Sequence, residues 1–194
     1  MTTVILYSSQ PDAIAQQIKQ GQTHHAKMQN IREKYGKEVA PIFTSAYQWF
    51  IRHAEQIIPR PDEAESAIWA YGHLRYMEEH EGFKILTLSV PVDQAIFFSM
   101  ADWNKILNQR YIGLSDQENQ AFSDKLTKQG ISYEGDVFRK PFYPQLKQEI
   151  MKSWQNLFRF HTPTQEALRL GEEAPIKDMQ AALWALPTSW LVGR

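Results

Sequence analysis

The 194 residues include no cysteine, which excludes disulfides, thiolate metal sites and a cysteine nucleophile and leaves the redox compartment open. The chain has no Walker loop, no Gly-x-Gly-x-x-Gly fingerprint and no Gly-x-Ser-x-Gly elbow. A P-loop NTPase, a Rossmann dehydrogenase and a serine hydrolase are therefore disfavoured, because each needs its glycines for close backbone approach. The histidines, His24, His25, His53, His73, His80 and His161, form no His-x-x-x-His or His-Glu-x-x-His pair, so no metal is expected. His80 with Glu78, Glu79 and Glu81 reads as a solvated turn. An excess of charge of one sign is missing too: 21 Lys and Arg stand against 22 Asp and Glu. No global field draws in nucleic acid or a membrane surface. No signal-like segment and no apolar run of membrane-spanning length occurs, so the expectation is a soluble, cytoplasmic protein with no membrane partner.

What is present argues for a packed core. Hydrophobic residues make up 43% and aromatics 12%, with Trp at six positions. The length fits one domain over residues 1–194, with a polar surface excursion at about 22–40. Val4 to Ser8 reads as a strand that stops at a polar junction, Ser8-Ser9-Gln10. Pro11 then opens an amphipathic helix carrying Ile14 and Ile18, with Ser9 and Asp12 in capping-box spacing. Such junctions often bind ligands, since strand-end side chains meet the unpaired N–H groups of a helix N-terminus.

Thr44 to Ile58 predicts a helix with Tyr47, Phe50, Ile51, Ala54, Ile57 and Ile58 on one face and Trp49 on the opposite one. Strands are predicted over 67–71, 83–90 and 95–98, the second alternating apolar and polar residues. Ser99 with Asp102, and Ser115 with Glu118, repeat the capping-box spacing before two helices, the later one stopping at Gly130. Leu146, Ile150, Trp154, Leu157 and Phe158 mark another amphipathic helix, and 179–192 reads as a closing core strand or hairpin. The fold class is α+β: a central, mostly antiparallel sheet, split or unsplit, with flanking helices and with the first and last strands in the sheet.

Several of these segments, in this order, carry a resemblance. Ala46-Tyr47-Gln48-Trp49, Ala67-Ile68-Trp69-Ala70-Tyr71, Val90-Pro91 followed by Phe98-Ser99-Met100-Ala101-Asp102-Trp103 and Leu107-Asn108, Ser153-Trp154 with Leu157-Phe158, and Met179-Gln180-Ala181-Ala182-Leu183-Trp184 resemble the successive motifs of the bacterial and phage domain-of-unknown-function family 3841. The resemblance runs from about Leu6 to Trp190. It implies a fold and no established activity.

A second resemblance implies chemistry. The opening strand with its polar end, the Ile68-Trp69-Ala70-Tyr71 strand and a last strand of the form Gln-Ala-x-x-x-x-Leu are similar to the three strand motifs of the ADP-ribosyltransferase superfamily, in which a split sheet holds NAD. Carried over, the first motif falls on Ser8, Ser9 or Gln10, the second on Trp69 or Tyr71, and the last, a glutamate in the superfamily, on Gln180. The resemblance thus implies Gln180 and Tyr71 as catalytic, and Ser8, Ser9, Gln10, Trp69 and Ser99 as NAD-binding residues. Gln180 departs from the pattern: nicotinamide loss passes through a cationic ribose that a carboxylate stabilises and an amide does not. An amide can still hold a ribose hydroxyl or orient a nucleophile, so the departure implies weak or altered transfer, or NAD binding without turnover. The resemblance implies a nucleic-acid or protein acceptor, and Arg32, Lys34, Lys37, Arg139, Lys140 and Lys147 are candidate basic surface for a nucleic acid. The alternative is a non-enzymatic interaction module in phage-host conflict, with Trp49 on its partner surface.

Overall fold

A computed structural model describes the backbone of residues 2–193 and the side chains of these except 30–40 and 42. In chain order the elements are β1 (Thr3–Pro11), α1 (Asp12–Lys19), α2 (Met28–Ala54), β2 (Ile68–Tyr71), β3 (Phe83–Pro91), β4 (Ile96–Ser99), α3 (Met100–Leu107), α4 (Asp116–Lys128), α5 (Asp136–Arg139), α6 (Pro144–Ser153), α7 (His161–Leu170) and β5 (Met179–Leu183). They fall into two compact units, Met1–Ser99 with Phe160–Arg194, and Met100–Arg159. Among the described residues the strands form one open antiparallel sheet in the order β3-β1-β2-β5-β4, so the first and last strands both lie inside it.

The sheet unit follows from period-two alternation. Leu6, Ser8 and Gln10 of β1 are buried on one face, whereas Tyr7 and Ser9 are half-buried on the other and Ile5 is exposed there. The first face carries the main core: Leu6, Leu86, Leu88, Ala70, Ala181 and Phe97 pack with Ala15 and Ile18 of α1 and with Ile176. Each Leu, Ile or Phe side chain withdrawn from water here contributes about 1.5–3 kcal/mol, and each Ala methyl less. On the second face α2 lies over β2 and β4. The Phe50 ring stands edge-on to Trp69 at 5.0 Å and to Phe98 at 5.4 Å, and Trp69 Nε1–H donates to the Tyr47 hydroxyl at 2.8 Å. The strip of this face over β1 and β3 keeps Ile5 exposed and Tyr7, Ser9, Ile85 and Thr87 half-buried.

In the second unit Asp102 is buried and ion-paired with Arg159 at 2.8 Å and with Lys105 at 3.4 Å. Trp154 Nε1–H donates to the Arg110 carbonyl at 2.8 Å, and its ring stacks on Phe138. Ser115 caps α4 as its spacing predicts, accepting from Glu118 N–H at 3.2 Å, while the Glu118 carboxylate accepts from Leu114 N–H.

Four expectations are corrected. β1 does not stop at Ser8: it pairs with β3 along its whole length, from Thr3↔Pro91 to Pro11↔Phe83, and α1 starts after Pro11 with no side-chain cap. Ser8, Ser9 and Gln10 are therefore ladder residues, because continuous pairing with β3 takes their backbone groups. The predicted helix at Thr44 begins at Met28 instead, running through the segment read as an excursion and taking in Pro41. Polar composition does not stop a helix, and the Glu65 carboxylate accepts from the Met28 N–H at 3.2 Å. Trp49 is not on an outward face: it is 4% exposed and stacked on His53, so α2 buries more than one stripe. After β5 the chain makes no hairpin. It turns at Thr188–Trp190, and Leu191 and Val192 pair beside Leu88 and Thr87 on the outer edge of β3.

Candidate functional site

One row of residues crosses the whole sheet. Thr87 pairs with Tyr7, Tyr7 with Tyr71, Tyr71 with Gln180 and Gln180 with Phe98. Residues directly opposite in antiparallel strands project to the same face, so this row lies on the second face, at the edge of the area α2 covers. Tyr71 and Gln180, drawn from two separate motifs, are thus direct cross-strand neighbours. Gln180 is 2% exposed, and its Oε1 is buried without a hydrogen-bond partner.

The join between β1 and β2 is narrow. A single residue pair, Tyr7↔Tyr71, links them, against nine pairs between β1 and β3. One side chain bridges the seam: Ser8 Oγ–H donates to the Trp69 carbonyl at 2.8 Å, while within β1 Gln10 Nε2–H donates to Ser8 Oγ at 2.9 Å. One ladder pair plus one side-chain bond make this the line along which the sheet most nearly divides.

The sheet separates the seven predicted residues. Ser8, Gln10 and, by the same alternation, Ser99 lie on the first face, while Ser9, Trp69, Tyr71 and Gln180 lie on the second. Ser99 Oγ–H donates to Asp178 Oδ2 at 2.9 Å. The Trp69 ring is committed to packing among Tyr47, Phe50 and Phe98. Ser9 lines a cleft of about 590 Å³ whose other walls are the acidic turn Glu78–Gly82 and the start of β3, including Lys84 and Ile85. The half-buried Tyr7 and Ser9 thus connect this cleft to the Tyr71–Gln180 row.

Asp178 is the carboxylate that sequence reasoning passed over. It stands two residues before Gln180, half-buried, in the spacing Asp178-Met179-Gln180. That spacing was the only signal available, because nothing in the chain's order announces the Ser99 contact that fixes it. Also unforeseen is the group just beyond β2. The Arg75 guanidinium donates to the Tyr76 hydroxyl at 2.8 Å and to the Lys177 carbonyl at 3.2 Å, so this turn is tied to the start of β5.

Elsewhere the titratable groups read as scaffold. His161 is buried, stacks on Phe97 and accepts the Phe97 N–H at Nδ1. Burial and then the Arg169 charge hold its pKa below the usual imidazole value. Burial, followed by the neighbouring His25, lowers that of His24 likewise. Of the predicted basic surface, Arg139 and Lys140 share Asp136, and the Lys147 ammonium lies over the Phe138 ring. Arg32, Lys34 and Lys37 have side chains outside the described residues. Among the described residues no group of three His, Asp or Glu is placed to hold a metal ion, and no helix is long and apolar enough to cross a membrane.

No curated protein and no solved structure matches the chain. A family model matches residues 5–192, nearly the full length and all five strands of the sheet. The chain belongs to the family described as Domain of unknown function (DUF3841).

Proposed function

We propose that the protein binds NAD on the second face of the sheet, over the Tyr7–Tyr71–Gln180 row, and acts as an ADP-ribosyltransferase-like protein toward a nucleic-acid or protein acceptor in the cytoplasm. The observation that carries this reading is the buried Oε1 of Gln180, an acceptor without a donor, set directly across from Tyr71 beside the narrow seam. A buried acceptor left unpaired costs about 1–3 kcal/mol. A ribose hydroxyl of NAD would offset that cost, which gives binding at this row a driving force.

Turnover makes a separate demand. Positive charge develops on the ribose as nicotinamide leaves, and Gln180 contributes an amide dipole there and no charge. Gln180 and Tyr71 therefore bind and orient. Asp178, in the turn just before β5 and bonded to Ser99, is the nearest carboxylate to Gln180 along the chain and is the candidate for stabilising the charge.

The test is incubation of the purified protein with NAD, single-stranded DNA, RNA and a cell lysate, following nicotinamide release and ADP-ribose attachment by mass spectrometry. Release with attachment establishes transfer and identifies the acceptor, and release alone indicates a glycohydrolase. Direct titration with NAD covers the case of binding without turnover. Gln180→Leu and Tyr71→Ala are expected to weaken NAD binding about tenfold or more, as loss of a buried hydrogen bond does. Unchanged affinity in both variants would overturn the assignment of this row.

A further inference from the structure

The turn that follows β2 holds a cation with no anion to match it. Arg75 lies on the short 3-10 turn Leu74–Tyr76, and its backbone N–H donates to His73 Nδ1 at 3.0 Å. Its guanidinium is positioned entirely by neutral groups: the Tyr76 hydroxyl, the Lys177 carbonyl and the face of the Tyr76 ring, 4.8 Å from the guanidinium carbon. Both hydrogen bonds use the same terminal nitrogen, Nη2. Nε and Nη1 stay available, and no described carboxylate lies in ion-pair range of Arg75. A guanidinium is a planar fork of donors suited to phosphate oxygens, and fixing it beforehand lowers the entropy lost on binding. His73 adds a donor: with Nδ1 accepting from Arg75 N–H, the neutral ring carries its proton on Nε2.

We propose that Arg75, with His73 beside it, is the anchor for a diphosphate group. The identification of that group as the pyrophosphate of NAD rests on the function proposed above. The register supports it. Arg75 is bonded to Lys177, three positions before Gln180 in the turn that leads into β5, so three residues of chain, at most about 11 Å even if fully extended, separate the anchor from the row. In a dinucleotide one ribose separates the nicotinamide from the pyrophosphate, so a ribose at Gln180 directs the diphosphate toward this turn.

The experiment is calorimetric titration of the full chain with NAD, ADP-ribose and inorganic pyrophosphate, for the unaltered protein, Arg75→Ala, Arg75→Lys and Tyr76→Phe. Arg75→Ala is expected to weaken all three ligands roughly ten- to a hundredfold, the range for a charge-assisted hydrogen bond. Arg75→Lys should recover only part of that loss, because an ammonium has no fork. Tyr76→Phe should give an intermediate loss by loosening the guanidinium while leaving its charge. Unaltered NAD affinity in folded Arg75→Ala would overturn the anchor and leave the NAD reading standing. Arg75-dependent pyrophosphate binding without any NAD binding would keep the anchor and overturn the dinucleotide. Failure of the unaltered protein to bind any of the three would overturn both.

Discussion

At the scale of single residues, Gln180 and His161 illustrate how a buried polar group divides between scaffold and site. Gln180 makes no side-chain hydrogen bond through its buried Oε1, so the fold loses nothing there when the amide is removed. Gln180→Leu is therefore expected to hold stability within about 1 kcal/mol, while weakening NAD binding as above. A large fall in melting temperature would show that the amide is a structural group. His161 is the contrasting case. Its Nδ1 accepts the Phe97 N–H, so the native state requires the neutral ring, and burial lowers its pKa. In the unfolded chain the same ring titrates near 6.5. Above that value neither state gains a proton and stability is undiminished. As pH falls below about 6.5 the unfolded state takes up protons first, and stability declines until the lower native pKa is reached. His24 has the same sign. The urea midpoint should thus fall between about pH 7.5 and 5.5, and His161→Phe, which retains a ring against Phe97, should flatten part of that slope. An unaltered slope would place the titrating group elsewhere.

At the scale of elements, β2 to β4 were legible because their sequences satisfy local rules without help. Phe83–Pro91 alternates, and Ile68–Tyr71 is short, apolar and bounded by turn residues. The direct pairing of Tyr71 with Gln180 follows from no local pattern in either strand. What was not legible is which face each side chain takes. Ser8 and Ser9 are adjacent serines with the same local character, yet one closes the β1–β2 seam within the core and the other lines a cleft. Only the extension of β1 to Pro11, fixed by β3 some eighty residues away, decides between them. Trp49 misled for a related reason. A helical wheel assigns one buried stripe, whereas α2 is buried at Trp49 as well as at Phe50. Trp49→Ala is consequently expected to destabilise the protein by about 3–5 kcal/mol, the usual cost of emptying an aromatic site. A melting temperature close to that of the unaltered protein would restore Trp49 as a surface residue and revive the interaction-module reading.

At the scale of the whole molecule, the sheet is held together by strands from opposite ends of the chain. β1 lies between β3 and β2, and β5 lies between β2 and β4, so each joins neighbours that would otherwise have no partner on that side. Closing Tyr71 against Gln180 orders a loop of about a hundred residues, an entropy cost that grows only as the logarithm of its length. The five buried residues of β5, together with its hydrogen bonds to both β2 and β4, offset it. Removal of residues 175–194 should accordingly do more than trim an end. It leaves Ala70 and Phe97 without Ala181, exposes inner edges on β2 and β4 and takes away Gln180. The expected result is loss of the cooperative thermal transition and an increased hydrodynamic radius, measured by calorimetry and light scattering. A truncated chain that still melts cooperatively would show that β5 does not close the sheet. In the full chain, the strand that completes the fold is also the one that presents Gln180. On the proposed reading, NAD bound at that row would stabilise the native state alone, and its affinity should appear directly as a rise in melting temperature that grows with NAD concentration and is smaller in Gln180→Leu.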